Sequence, residues 1–162
     1  HNNYFIIEVD GKKIGLINGA QINWENKETR SGGIFIWEDS YWQTKIPIAA
    51  SLLLTDTAIL MGLERTYVKV LNTNKNAISF NKMLGYEIIS NNDDPEVGIY
   101  ILETKNYVTQ RNMLRKMLFK SDVNFFTKIT MKDNSNPVNR FYINKLQQVP
   151  EELKSELQLI LQ

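Results

Sequence analysis

The side chains able to do chemistry are few in this chain. Its 162 residues include no cysteine and a single histidine, His1. A thiol nucleophile, a Cys-ligated zinc site, a His-based metal site and a His-dependent triad are therefore excluded. Carboxylates, phenols, lysines and amides remain. Glu38, Asp39, Tyr41, Gln43, Thr44 and Lys45 fall in one polar stretch between the apolar Gly33–Trp37 and an apolar run that starts at Pro47. A carboxylate there can accept a proton, a phenol can give one, and an ammonium can meet an anion. A second stretch, Asn74–Tyr86, sets an amide-rich loop before a short helix that ends at Gly85.

The elements that must position these groups are readable. Tyr4–Val9 alternates, Asp10-Gly11 is a turn signal, and Lys12–Trp24 continues as a second long strand, which together predict a hairpin. Asn26–Arg30 reads as a polar turn. Gly33–Trp37 reads as a short apolar strand. Pro47 suits a first helical turn, where its missing N–H would be unsatisfied anyway. Ile48–Leu63 then forms a helix with Asp56 as its one charged residue before Gly62, so most of its surface should be buried. Thr66–Leu71 predicts a strand, Ala77–Leu84 a helix, Tyr86–Ser90 a strand, Asn91–Pro95 a turn and Val97–Glu103 another strand. The order is mixed α/β with a central sheet. Lys105–Lys120 predicts a basic amphipathic helix with Tyr107, Leu114, Met117 and Leu118 as its apolar stripe. Phe125–Met131 predicts a strand, and Pro137–Gln147 and Glu151–Leu161 predict short helices.

Composition bounds the partners. The net charge is +1, from 19 basic and 18 acidic residues, which does not fit a strongly basic nucleic-acid-binding domain. Residues 1–104 carry 9 basic and 13 acidic side chains, and residues 105–162 carry 10 and 5. That shift marks a boundary near Thr104. The basic helix that follows could meet an acidic partner, a membrane surface or RNA, although a helix packed on the sheet with its Lys/Arg face in water is the simpler reading. No apolar run reaches the ~18 residues of a membrane span, and no signal peptide is visible, so a cytoplasmic location is expected. Asparagine is abundant, 18 residues of 162, so no single Asn carries an argument alone.

Asn74, Ala77, Leu84 and Gly85, with Tyr86 in place of a phenylalanine, resemble the Asn-x-x-Ala-x-x-x-x-x-x-Leu-Gly-Phe signature of the GNAT superfamily of acyl-CoA-dependent N-acyltransferases. Gly62–Val68 is similar to that family's helix-to-strand turn, and Gly11–Gly19 to its second and third strands. The resemblance covers residues 4–104 and includes the order of elements. It implies a GNAT-like α/β fold: a central mixed sheet flanked by helices, with residues 1–104 as an acyltransferase core and 105–162 as a mainly helical extension packed on it. The family's first strand and the helices that shape the acceptor pocket are not in this sequence.

The resemblance implies acetyl-CoA as co-substrate, no metal, and an amine acceptor: a small amine, an amino-sugar nucleotide or a protein N-terminus. It also allows a homodimer. The alternative is a non-catalytic GNAT-like binding or interaction domain that has lost acyl-CoA binding. In such a site two parallel strands splay, here Gly33–Trp37 and Thr66–Leu71, and the pantetheine arm adds between them like an extra strand. Ile36, Trp37 and Ile46 would flank the arm, with Asn81 on the facing helix. Asn74 would bond along the arm, cap the Ala77 helix, or do both. The pyrophosphate would sit at the helix start. There the chain departs from the family. Tyr41-Trp42 resembles the opening of the loop in the branch that acetylates ribosomal-protein N-termini and sugar-nucleotide amines, but Gln43, Lys45 and Pro47 stand where glycines are expected. Either Gln43, Thr44 and the charge of Lys45 replace the lost backbone donors, or the site has decayed. Asn81 occupies the position of the usual acid tyrosine and Lys69 that of a base glutamate. Glu38 and Asp39 remain as bases or as solvated loop residues, and Tyr41 as acid or as loop packing. Trp24, Trp37 and Tyr41 line a substrate cleft or belong to the core.

Overall fold

In the computed structural model, residues 2–89, 94–119, 127–131, 137–148 and 157–161 are described. The hairpin forms as expected: β1 (Asn3–Val9) and β2 (Lys12–Asn23) are joined by Asp10 and Gly11, at φ of 50° and 79°. Two consecutive positive φ values match the twist of the flanking strands. β3 (Glu28–Ile36) follows, then a 3-10 turn over Asp39–Tyr41 and α1 (Ile46–Leu60). Next come β4 (Arg65–Leu71), α2 (Lys75–Met83), β5 (Glu87–Ile89), β6 (Val97–Glu103) and α3 (Thr104–Phe119). β7 (Thr127–Met131), α4 (Pro137–Gln147) and β8 (Leu157–Leu161) complete the described chain.

Six strands make one sheet in the order β1-β2-β3-β4-β6-β5, in which only β3 and β4 run parallel. β7 and β8 pair parallel in a second, two-stranded sheet. This is the mixed α/β architecture expected from the element order. Two expectations are corrected. Asn26–Arg30 is not a turn throughout: β3 starts at Glu28, because the side chains of Glu28 and Thr29 are buried and Thr29 pairs with Ile22. The end of Glu151–Leu161 is not helical either. Leu157–Leu161 is β8, and pairing with a distant strand outweighs local propensity there. Residues 151–156 and most of the Asn91–Pro95 turn lie outside the described residues.

α1 is buried on most of its surface, as its composition predicts, with Ile48, Leu52, Thr55, Asp56 and Ala58 inside. It therefore joins three apolar clusters. Ile48 and Leu52 meet Val70, Tyr86, Tyr100 and Leu102, together with Tyr107, Leu114 and Leu118 of α3. Ile46, Ala50 and Leu54 pack on Ile7, Ile14, Ile17 and Ile36. Ala58 meets Ile22 and Leu63. Each fully buried side chain of this kind contributes about 1.5–3 kcal/mol of transfer free energy.

The stripe on α3 differs from expectation at one end. Met117 is exposed, while Arg111 is buried. The cause is Asp56. Its carboxylate accepts bonds from the Tyr107 hydroxyl at 3.0 Å, Arg111 at 3.4 Å and Arg115 at 2.5 Å. A buried carboxylate needs such partners, and they turn the arginine edge of α3 inward.

Candidate functional site

The site begins where β3 and β4 part. They pair only at Glu28–Arg65 and Thr29–Thr66. Beyond that point β3 stays bonded to β2 as far as Ile36, and β4 to β6 as far as Leu71. Each strand follows its own neighbour, so the two diverge and the backbone between them is not joined. The closed end of this V is pinned electrostatically. Glu28 is buried and meets Arg30 Nε at 2.7 Å and Arg65 Nε at 3.6 Å. The carboxylate in turn holds the Arg30 guanidinium above its ordinary pKa.

A cavity of ≈ 50 Å³ opens at the start of the splay. Thr66, Tyr67 and Val68 all line it, as do Ser31 and Gly32. Neighbouring residues of a strand point to opposite faces, so the cavity runs through the gap. Leu54, Ala58 and Met61 of α1 close it on the helix side. Three of its hydroxyls are engaged with protein: Thr29 Oγ1 donates to Ala20 O at 2.7 Å, and Thr66 Oγ1 and the Tyr86 hydroxyl are 2.9 Å apart. Burial pushes the Tyr86 phenol above its usual pKa, against the opposing effect of Thr66.

The anion end lies at the start of α1. Thr44 N–H donates to Tyr41 O at 3.1 Å, Ile46 N–H to Thr44 Oγ1 at 3.2 Å, and Pro47 has no N–H. Half of the six backbone positions from Gln43 to Ile48 therefore offer no free donor. Gln43, Thr44 and Lys45 are exposed. The Lys45 ammonium donates to the carbonyl of Leu118, near the end of α3, where a cation suits the helix dipole.

The remaining sequence-selected residues divide clearly. Glu38 binds Lys12 at 2.7 Å, and that contact raises the Lys12 pKa. Tyr41 packs beside the Ile7–Ile36 cluster. Ile36 is buried in the same cluster and Ile46 packs against it. Trp37 is 44% exposed, with its indole N–H on Lys13 O at 3.2 Å. Trp24 packs edge-on against Phe141 of α4, with ring centroids 5.1 Å apart. Asn74 caps α2: its Oδ1 accepts Ala77 N–H at 3.0 Å. Asn81 Nδ2 donates to Ala77 O at 2.8 Å. Six residues separate Glu38 from Gly32, up to ~20 Å of extended chain, so the loop carboxylates and the cavity occupy different parts of the cleft.

Sequence reading missed Thr66, Tyr67 and Tyr86 as cavity residues. The available signal was the tyrosine after Gly85, which stands at φ 98° and turns Tyr86 inward. Among the described residues, no Asp, Glu or His lines the cavity. Among the described residues no cluster of His, Asp or Glu could hold a metal, and no helix is long and apolar enough to cross a membrane.

No protein-family model matches the sequence, and no curated protein matches it significantly. Solved structures do match the fold. FdhC, a nucleotide-linked sugar GNAT, aligns at a TM-score of 0.60 and 21% identity, over 72% of this chain and 65% of that one. Spermidine N-acetyltransferase from Vibrio cholerae, in complex with CoA and spermine, aligns at 0.55 and 17%, over 66% and 68%. A domain from Methanocaldococcus jannaschii DSM 2661 aligns at 0.54 and 19%, over 63% and 66%. The chain spans about two thirds of the length of the structures it matches. At these identities the likeness establishes a GNAT-like fold, the mixed sheet with a splayed parallel pair.

Proposed function

We propose that this chain is an acyl-CoA-dependent N-acyltransferase of the GNAT superfamily. The observation that carries the reading is the β3–β4 splay, closed at Glu28 and Thr29, with β3 leading through the 3-10 turn to the N-terminus of α1. Unpaired strand edges can hold the amide groups of a pantetheine arm as an added strand would. The start of α1 offers its dipole to the pyrophosphate. The matched structures include enzymes described as acting on spermidine and on a nucleotide-linked sugar, which supports a primary amine as acceptor.

Bound acyl-CoA supplies an activated thioester: the acceptor nitrogen bonds to its carbonyl carbon, the carbon–sulfur bond breaks, and the thiolate leaves. The chain's own part is chiefly to hold donor and acceptor together, a large share of such rate enhancements. Glu38 and Tyr41 stand in the loop after β3, away from the cavity at the start of the splay, so water takes the ammonium proton and a proton from solvent reaches the departing thiolate. Asn74 keeps its capping bond while its amide N–H₂ reaches the arm.

A specific observation favours a second reading, a binding module without catalysis. Half of the loop's backbone donors are spent or missing, and Lys45 is bonded to Leu118. Calorimetric titration with acetyl-CoA, followed by a thiol-release assay against a panel of amines, separates the two. Binding with turnover supports the enzyme. Absence of binding supports the module, which has lost acyl-CoA binding.

A further inference from the structure

The cavity at the start of the splay is chemically unlike the rest of the cleft. Its open lining is almost wholly apolar, from Ile22, Leu54, Ala58, Met61, Leu63 and Val68. Among the hydroxyls in its wall, those of Thr29, Thr57, Thr66 and Tyr86 bond to protein partners. Two glycines keep it open. A Cβ added at Gly19 would meet nothing nearer than Thr29 Oγ1 at 4.0 Å, and one at Gly32 would stand 3.3 Å from Asn18 O and 3.8 Å from Val68 Cγ1, across the gap. One water takes about 10–15 Å³ of such space, so ≈ 50 Å³ holds roughly three or four carbon-sized groups. A space whose exposed lining is mostly apolar does not favour water. It favours the end of a short hydrocarbon chain.

We infer that this cavity is an acyl pocket selecting acyl groups of about four carbons over acetyl. The inference rests on the proposed acyl-CoA site, because it needs the thioester placed at the splay. An acetyl group puts one methyl into the pocket, whereas a butyryl group puts three carbons there. Each buried CH₂ strengthens binding roughly fourfold, so two more give about a fifteenfold gain. A chain of eight carbons exceeds the space between Gly32 and the α1 wall and loses that gain.

The test is calorimetric titration of the full chain with CoA, acetyl-CoA, butyryl-CoA and octanoyl-CoA, in parallel with the Ala58→Leu variant. Leu54→Phe serves as a second filling variant, and thermal midpoints establish that each variant folds. The expected result is butyryl-CoA binding about fifteenfold tighter than acetyl-CoA, octanoyl-CoA no tighter than acetyl-CoA, and the butyryl gain lost in a folded filling variant while CoA itself binds as before. CoA binding with equal affinity for all chain lengths overturns the acyl pocket and leaves the acyl-CoA site standing. Failure of CoA and every acyl-CoA to bind overturns both.

Discussion

Pro47→Ala tests the weakest part of the cleft by adding to it. Pro47 is the second residue of α1, where an N–H points out along the helix axis toward an anion. In the native chain this position gives no donor, and Thr44 and Ile46 have spent theirs on Tyr41 O and Thr44 Oγ1. Alanine restores one N–H. A hydrogen bond to a charged partner contributes about 1.5–3 kcal/mol. CoA should therefore bind roughly 10- to 100-fold tighter. Stability should move the other way, by about 0.4–1 kcal/mol from the freer unfolded chain, with a further loss from the packing of the buried ring. Calorimetry with CoA and urea denaturation measure the two effects. Pantetheine, which has no phosphate, is the control and should show no gain. An unchanged affinity for CoA, or an equal gain for pantetheine, would refute a pyrophosphate at this helix start.

Lys45→Ala should weaken CoA binding about tenfold while Lys82→Ala leaves it unchanged, and should cost ~0.3–1 kcal/mol in urea denaturation because the end of α3 loses a cation. Asp56→Ala removes the carboxylate that Tyr107, Arg111 and Arg115 share, so a loss of ~3–5 kcal/mol is expected in the same assay. Thr66→Val strips the buried Tyr86 hydroxyl of its partner, and a loss of ~1–3 kcal/mol should follow. Tyr86 and Tyr107 both have pKa values raised by burial, Tyr107 also by Asp56. Their contribution to stability is thus complete below about pH 10 and falls as pH rises past that point. Thermal midpoints should drop above pH 10, and Tyr86→Phe should make the drop shallower.

Local chemistry made part of this molecule legible. Asp10-Gly11 announces its hairpin because consecutive positive φ values suit few other pairs. Asn74 announces a cap because its amide can reach Ala77 N–H three residues on. The apolar length of α1 foretells its burial. Long-range pairing was not legible. Leu157–Leu161 becomes a strand only because Thr127–Met131 lies beside it. Arg111 looks like a surface residue until Asp56, 55 positions away, is seen to draw it inward. The splay itself was foreseeable from the resemblance of the motifs. The cavity within it was not, since it is made by glycines of β2 and β3, a tyrosine after Gly85 and the second half of α1, which no sequence spacing relates. Lys45 shows the same limit: its charge was evident, and its bond to Leu118 was not.

The central claim is that the splayed strands and the start of α1 hold acyl-CoA. Calorimetric titration of the chain with CoA tests it most directly. The account predicts one-to-one binding in the micromolar range, weakened by Lys45→Ala and strengthened by Pro47→Ala. Absence of heat at millimolar CoA, with the chain folded by its thermal transition, would contradict it.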